Sequence, residues 1–448
     1  MSNGLLKHLK QNLDGLIRKL PTMAEQETQE QRLSLARELD ANDDLNGYRQ
    51  QFHFPLQENG DPILYFVGNS LGLQPTRTEA YVREELDKWR ELGVRGHFEH
   101  ERPWMPYHEF LTETMADLVG AQPNEVVMMN SLTANLHFMM ASFYQPTKQR
   151  HKILIEQHAF PSDSQAAVSQ IQWHGFDPAE SLLVVPSNDD GVIAIDAIME
   201  IIEQQGTEIA LILLPGVQYY TGQVFPIKTI TASARSRGIK VGYDLAHAAG
   251  NVRLNLHDHD VDFAVWCSYK YLNSGPGSVG GCFVHERHAA NPETPRLAGW
   301  WGHDKGSRFK MKNEFKPIPT AEGWQLSNPP ILSLAAIRAS LDLFREVGGM
   351  EALIGKSILM TNYLETQLKK QLGDRVNILT PVENRGCQLS LEMDFGDIKG
   401  KTIHQKLENA GVETDWREPN VIRVAPVPLY NSFEDCFWLV EKLSDCVS

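Results

Sequence analysis

The sequence predicts an α/β protein in which a mostly parallel, seven-stranded sheet lies between helices, with a smaller α+β domain at the C-terminus. Three observations carry that prediction. Short apolar runs alternate with amphipathic stretches between about residues 126 and 284. Those runs are continuously apolar, as expected of strands buried on both faces of a parallel sheet. The rhythm then changes after about Pro317, where long helical patterns take over.

The 448 residues suffice for two or three domains and a large core. With 42% hydrophobic and 22% charged residues, disorder is excluded as the dominant state. A net charge of −15 argues against a general nucleic-acid binder and against a surface that seeks anionic membranes. The strongest apolar run, 209–214, stops at Pro215-Gly216, far short of the roughly 18 residues of a membrane span.

Met1 to Leu20 is a short amphipathic pattern with Lys7, Lys10, Arg18 and Lys19 but no continuous apolar stretch, so it is not a secretory signal. Asp14 and the acidic stretch from Glu25 to Glu30 speak against a mitochondrial presequence. Residues 1–60 read as an N-terminal helical segment packing on the small domain, with Leu33, Ala36 and Leu39 at helical spacing. Pro55 and Asn59-Gly60-Asp61-Pro62 mark the passage into a large domain, 61–317. Its strands are expected at 126–129, 153–155, 182–185, 209–214, 239–243, 263–266 and 279–284, with helices near 163–173, 195–205 and 228–237. The small domain, 318–448, should contain helices at 333–347, 350–372 and 402–410 and strands at 388–393 and 421–424. Five scattered cysteines (Cys267, Cys282, Cys387, Cys436, Cys446) without a C-x-x-C pair exclude a disulfide framework and suggest a reducing cytoplasm.

Ligands of open α/β sheets bind beyond the carboxyl ends of the strands. Asp244-Leu245-Ala246-His247 follows one predicted strand and Ser268-Tyr269-Lys270-Tyr271 follows another. That pairing suits pyridoxal phosphate: a lysine amine forms a Schiff base with the cofactor aldehyde, and a carboxylate keeps the pyridine nitrogen protonated. The bland alternative makes Asp244 a helix cap and Lys270 a surface lysine; the flanking Tyr269, Tyr271 and Gly275-Pro276-Gly277 favour the site. Gly275 to Gly281 contains G-x-G-x-x-G, but it runs into a strand instead of opening a helix, so no nucleotide site is indicated. Its glycines instead let backbone pass close to a neighbouring group.

Asn130-Ser131-Leu132-Thr133, between a strand and a helix, fits a phosphate cradle, although capping alone also explains its Ser and Thr. Phe160-Pro161-Ser162-Asp163 sits likewise between strand and helix, where Phe160 could stack on a planar ring. The pair Trp300-Trp301 in a Gly-rich loop reads as an aromatic lid. His257-Asp258-His259-Asp260 looks metal-like, but no third ligand is spaced to complete it, and no metal is expected.

Together these residues resemble the kynureninase family, within the aspartate-aminotransferase-like (type I) pyridoxal-phosphate enzymes. The resemblance rests on Gly68 to Pro75, Phe160 to Asp163, Asp244 to His247, Cys267 to Asn273 and Arg423 to Tyr430, in order and spacing from about Tyr65 to Phe433. It implies a cofactor, pyridoxal 5′-phosphate, on Lys270, with Asp244 at the ring nitrogen and His247 close by. Tyr269 would bond the phosphate and assist proton transfer, and Leu132 and Thr133 would donate to that phosphate. Phe160, Pro161, Ser162 and Asp163 would complete the ring's surroundings. Trp300 and Asn328 would reach cofactor and substrate across a homodimer interface, Arg423 would clamp the substrate α-carboxylate, and Ser70 and His97 would lie near the aryl ketone.

The implied reaction is hydrolytic Cβ–Cγ cleavage of L-kynurenine or 3-hydroxy-L-kynurenine to anthranilate or 3-hydroxyanthranilate plus L-alanine, in tryptophan degradation and NAD biosynthesis. One departure stands out: Pro215 replaces an expected hydroxyl residue, so one cofactor hydrogen bond is absent or supplied elsewhere. A cysteine desulfurase would need a mobile nucleophilic cysteine, for which Cys387 is the candidate. A regulator would need a basic DNA-reading module, and none is visible. An inactive scaffold is disfavoured because every implied catalytic position is filled.

Overall fold

The computed structural model describes residues 27–393 and 399–447, so the amphipathic pattern of residues 1–20 lies outside the described residues. Its central feature is a seven-stranded sheet built from β1 (Val126–Met128), β2 (Lys152–Glu156), β3 (Leu182–Val185), β4 (Ile209–Pro215), β5 (Lys240–Asp244), β6 (Phe263–Trp266) and β7 (Gly281–Val284). The spatial order is β1-β7-β6-β5-β4-β2-β3. Neighbours from β6 to β3 pair in parallel, and β7 alone runs antiparallel, against both β6 and β1. The seven apolar runs are therefore the seven strands, and every strand but β7 points its carboxyl end to the same edge.

The inner strands are apolar on both sides because both faces are covered, whereas the edge strand β3 leaves Val184 exposed. Ile153, Ile155, Leu211, Leu213, Phe263 and Val265 share one core with Leu136, Met139 and Met140 of the helix Leu132–Phe143 and Ala167 and Ile171 of Pro161–Trp173. On the other face the helix Ile227–Ser236 meets β5, where Thr231 Oγ1 lies 3.1 Å from Tyr243 Oη. Each fully buried Ile or Leu contributes roughly 1.5–3 kcal/mol to this packing.

The chain divides into two compact units: residues 77–219 with 224–343, which hold the large sheet, and residues 27–76 with 220–223 and 344 onward. These divisions differ from the expected ones at 60 and 317. The helix Ile331–Val347 begins in the large unit because Ser333 Oγ accepts from Val279 N (2.9 Å) and Arg338 pairs with Glu84 (2.5 Å). Residues 61–76 belong with the other unit because Leu64–Tyr65 pairs in parallel with Val412–Glu413.

That second unit carries an antiparallel sheet of β8 (Asn377–Ile378), β9 (Leu389–Glu392), β10 (Asp415–Arg417) and β11 (Val421–Val424), in the order β8-β9-β11-β10. The helix Met350–Leu372 occupies the predicted range, and Phe433–Val447 packs beside it. The helix Gln29–Ala41 starts at Thr28, whose side chain forms a capping box with Gln31. It buries Ala36 and Leu39 against Phe433, Phe437 and Val440. Asp40 accepts from the backbone N–H groups of Phe433 and Glu434, tying it to the start of the last helix.

Candidate active site

The carboxyl ends of β2, β5 and β6 bring one set of ionisable groups together. β5 ends in Asp244, and Ala246 N donates to Asp244 Oδ1 at 2.7 Å, which fixes the carboxyl over the turn. After β6 the chain turns through Ser268 to Ser274. Ser268 Oγ donates to Val279 O (2.6 Å), Asn273 N donates to Lys270 O (2.9 Å), and Asn273 takes φ +50°, a conformation its short polar side chain tolerates. Lys270 Nζ thereby lies 3.0 Å from His247 Nε2 and 5.9 Å from the centre of the Tyr269 ring. The Cys267 sulfur lies beside this group, 4.0 Å from Ala246 O.

Asp163, at the start of the helix that follows β2, reaches Asp244 by a side-chain hydrogen bond. Both carboxyl groups are buried. Two buried carboxylates within hydrogen-bond distance cannot both stay ionised, because at an effective dielectric of about 20 their repulsion near 4 Å is about 4 kcal/mol. Burial first, and the Asp244 charge second, hold Asp163 well above the carboxylate range. Burial also raises Asp244, offset by the Ala246 N–H and the Lys270 charge. The pair therefore keeps one proton, with Asp163 as donor and Asp244 as the anion facing lysine.

A third carboxyl, Glu156 at the end of β2, adds to this cluster. It is 3% exposed, and burial, with the Asp244 charge in support, pushes it up to about 8. Sequence reasoning missed Glu156, although a charged residue closing the apolar run Ile153 to Ile155 is a readable signal. Burial likewise raises the Tyr269 hydroxyl and the Cys267 thiol.

The phosphate-cradle segment follows β1. Asn130 adopts φ +51° and the helix Leu132–Phe143 opens at Ser131, whose side chain makes no capping hydrogen bond. Capping therefore does not account for Ser131, and the helix start stays available to an anion. Gly280 passes close by: a Cβ there would stand 2.8 Å from Trp266 O and 3.2 Å from Leu132 N. This is the close backbone approach expected of that glycine run. Phe160 is 41% exposed and meets Tyr219 edge-on at 5.2 Å, while Pro161 and Ser162 open the helix beside it.

The remaining implied residues of this unit have other partners or face outward. His97, in the turn Gly93–His97, packs edge-on against Trp104 at 5.2 Å, and its Nδ1 lies 3.0 Å from Val94 O. Trp300 is 42% exposed and donates through Nε1 to Arg308 O, and Asn328 is also exposed. The two tryptophans of the expected lid divide: Trp301 is buried beneath the Arg308 guanidinium, and only Trp300 is presented outward.

Ser70 and Arg423 belong to the other unit. There Arg423 is buried on β11, paired in register with Ser390 on one side and Asp415 on the other, and its Nη2 donates to Asp415 Oδ2 at 2.6 Å. Asn69, beside Ser70, donates to Gln388 Oε1 (3.0 Å), whose Nε2 donates to Ser390 Oγ (3.1 Å). Asp415 is a partner that sequence reasoning did not find, because the hairpin pairing it with Arg423 leaves no local signature.

The chain is similar to known proteins along nearly its whole length. A model of the Kynureninase C-terminal domain matches residues 353–443. The chain is 53% identical to the kynureninase of Koribacter versatilis over 91% of its own length and 96% of that protein. It is 53% identical to the kynureninase of Myxococcus xanthus (92% and 96% covered) and 54% identical to that of Xanthomonas euvesicatoria (90% and 96%). Among solved structures, a C-DES mutant with glycine covalently linked to the PLP cofactor shares the fold at TM-score 0.73 and 20% identity, covering 89% of this chain and 99% of that one. The cysteine desulfurase of Thermococcus onnurineus does so at TM-score 0.70 and 17% identity, covering 86% and 94%. Identity above one half along nine-tenths of the sequence places the chain in the kynureninase family.

Proposed function

We propose that the protein is a pyridoxal-phosphate-dependent hydrolase that cleaves the Cβ–Cγ bond of L-kynurenine, 3-hydroxy-L-kynurenine or both, giving the anthranilate and L-alanine. The observation that carries the proposal is the amine of Lys270 beside His247, set against the buried Asp163–Asp244 pair.

The donor set fits the cofactor. Lys270 offers the amine, Asp244 the anion for the ring nitrogen, the Leu132–Thr133 backbone the phosphate donors, and Phe160 a ring to cover one face. When bound, pyridoxal phosphate supplies an aldehyde that captures amines and a ring that withdraws electrons. The protein's own groups do the rest. Asp244 would keep a proton on the pyridine nitrogen through a charge-assisted hydrogen bond, while Asp163 donates to Asp244 and stabilises its charge. Lys270 Nζ, as a free amine, would take the proton from the substrate Cα, with His247 Nε2 3.0 Å away to orient it. Tyr269, a neutral hydroxyl beside Lys270, would hold the proton to be returned to the substrate carbon. Arg423 receives the α-carboxylate on its planar fork, aligned by Asp415.

The active unit is a homodimer, on our reading, with Trp300 and Asn328 serving the partner's site. The exposure of Trp300, Phe309 (57%) and Met311 (75%) along one loop supports a covered surface there. The chemistry belongs in the cytoplasm, within tryptophan degradation and NAD biosynthesis. Among the described residues no helix is long and apolar enough to cross a membrane.

A desulfurase reading is disfavoured because Cys387 is 1% exposed, where a mobile nucleophile needs access. The test is turnover of kynurenine and 3-hydroxykynurenine by purified protein, with and without added pyridoxal phosphate. Cofactor-dependent release of an anthranilate supports the assignment, and sulfide release from cysteine without any anthranilate overturns it.

A further inference from the structure

At the sheet edge opposite Lys270, three residues distant in sequence meet. Glu125 closes the turn Pro123–Glu125 just before β1, His285 follows β7, and His257 belongs to the loop after β5. The backbone holds that loop in place, since Leu256 N and His257 N donate to Val119 O and Gly120 O. His257 Nδ1 lies 3.0 and 3.1 Å from the two Glu125 oxygens, and His285 Nδ1 lies 3.4 Å from Oε1. All three ligating atoms fall within 4.8 Å of one another. Ligand bonds of about 2.0–2.1 Å in a tetrahedron set donor atoms about 3.3 Å apart, so these separations are close to what a zinc-class ion requires.

The surroundings follow the same logic. A ligating imidazole generally donates its second N–H to a carboxylate, carbonyl or water, and a ligating carboxylate is itself hydrogen-bonded. His285 Nε2 lies 3.4 Å from Asp260 Oδ1. His257 Nε2 lies 3.0 Å from Gln122 Nε2, and ligation through Nδ1 requires that amide to turn and present its oxygen to the Nε2–H. Glu125 accepts from Glu286 N and Gln122 N, both at 2.9 Å, and is fully buried. A competing contact is weak: Arg287 N reaches His285 Nδ1 at 3.3 Å. The other His/Glu cluster among the described residues, His108, Glu109 and Glu322, differs because Lys305 Nζ already bridges its two carboxylates at 2.9 and 3.0 Å.

We propose that Glu125, His257 and His285 form a structural site for one divalent transition-metal ion of the zinc class, with water as the fourth ligand. The ion pins the loop that carries His257 to the turn before β1 and to the end of β7. This supplies the third ligand that sequence spacing around His257 to Asp260 lacked.

The test uses the cofactor-loaded protein, stripped with chelator and dialysed. Cobalt(II) is titrated at pH 7.5 and followed by its visible ligand-field bands, and zinc is titrated against a chromophoric chelator. The expected result is one equivalent per chain and binding weakened at least tenfold in His257→Gln and in His285→Gln, with kynurenine turnover unchanged. Zinc should also raise the unfolding temperature of the wild-type protein and leave the double variant unmoved. Glu125→Gln, which keeps the side chain's shape and an acceptor oxygen, checks the result if a histidine variant folds poorly. The proposal is overturned if wild-type protein binds no more metal than the His257→Gln/His285→Gln double variant. It is equally overturned if binding survives there and disappears in His108→Gln.

Discussion

Replacing Glu156 by glutamine should make the protein more stable at alkaline pH, by an amount that grows with pH. The buried carboxyl has a folded-state pKa of about 8 against an ordinary value of 4.5, because burial penalises its charge and Asp244 repels it. A carboxyl raised on folding binds its proton more tightly in the native state. Its contribution is therefore complete below pH 4.5 and is lost as pH climbs through 4.5 to about 8. The span from 4.5 to about 8 corresponds to about 5 kcal/mol at most. The unit that contains Glu156 has about 260 residues, which gives an unfolding entropy of about 0.55 kcal/mol/K and hence a shift of about 9 °C. Glutamine fills the same volume, donates as the protonated acid does and cannot ionise. The assay is the melting temperature of Glu156→Gln minus that of wild type, measured between pH 5 and 9. Subtraction removes every other titration except the coupling of Glu156 to Asp163 and Asp244. A difference that rises by several degrees toward pH 9 is expected; a flat or falling difference would show that Glu156 is ionised in the native protein.

Asp163→Asn should leave cofactor affinity within about threefold, because the amide still donates to Asp244. Asp163→Ala removes a hydrogen bond to a charged group, worth about 1.5–3 kcal/mol, and should weaken affinity about 10- to 150-fold. Equal losses in the two variants, measured by titrating cofactor into apo-protein, would contradict the shared proton. Lys270→Ala should lose both turnover and the borohydride-sensitive visible absorption of the bound cofactor; colour that persists after borohydride counts against that lysine. Asp244→Ala should bind cofactor poorly and lose turnover, and normal kcat in that variant would remove the electron-sink role. Arg423→Lys should raise KM for kynurenine by tenfold or more while leaving cofactor affinity unchanged, since Lys lacks the bidentate fork. An unchanged KM would move the carboxylate contact elsewhere.

The sheet was legible because burial on both faces writes itself into sequence as apolar runs, and all seven runs became strands. The long helix Met350–Leu372 was legible for the same reason, in its own period. Less visible were short edge strands such as Asp415–Arg417, whose side chains are half-buried and carry no apolar pattern. Domain limits were also poorly legible. They are set by which residues the helix Ile331–Val347 touches, and Ser333 and Arg338 give no hint in sequence that they bind Val279 and Glu84. Within the site, Asp244 and Lys270 could be found from strand ends alone. The link between Asp163 and Asp244 could not, because it depends on how strands separated in sequence are ordered in space.

That order explains why Pro215 is tolerable. In the sheet β4 stands between β2 and β5, so Glu156 and Asp244 are two strand spacings apart, about 10 Å. That gap is too wide for the two strand ends to hydrogen-bond directly. The intervening strand ends in Pro215, in register with Asp244, and proline brings neither an N–H nor a hydroxyl. There Gly216 N donates to Asp244 O at 2.8 Å and fixes the backbone, while the Asp244 carboxyl accepts from Ala246 N and from the helix that starts after β2. Asp163 projects from the first turn of that helix and reaches Asp244 by its side chain. Asp244 thus shares its proton with a second carboxyl that arrives on a different element. Residue 215 meets this pair through backbone, as the register partner of Asp244 and the neighbour of Gly216, so a hydroxyl residue in place of proline leaves the Asp163–Asp244 hydrogen bond intact.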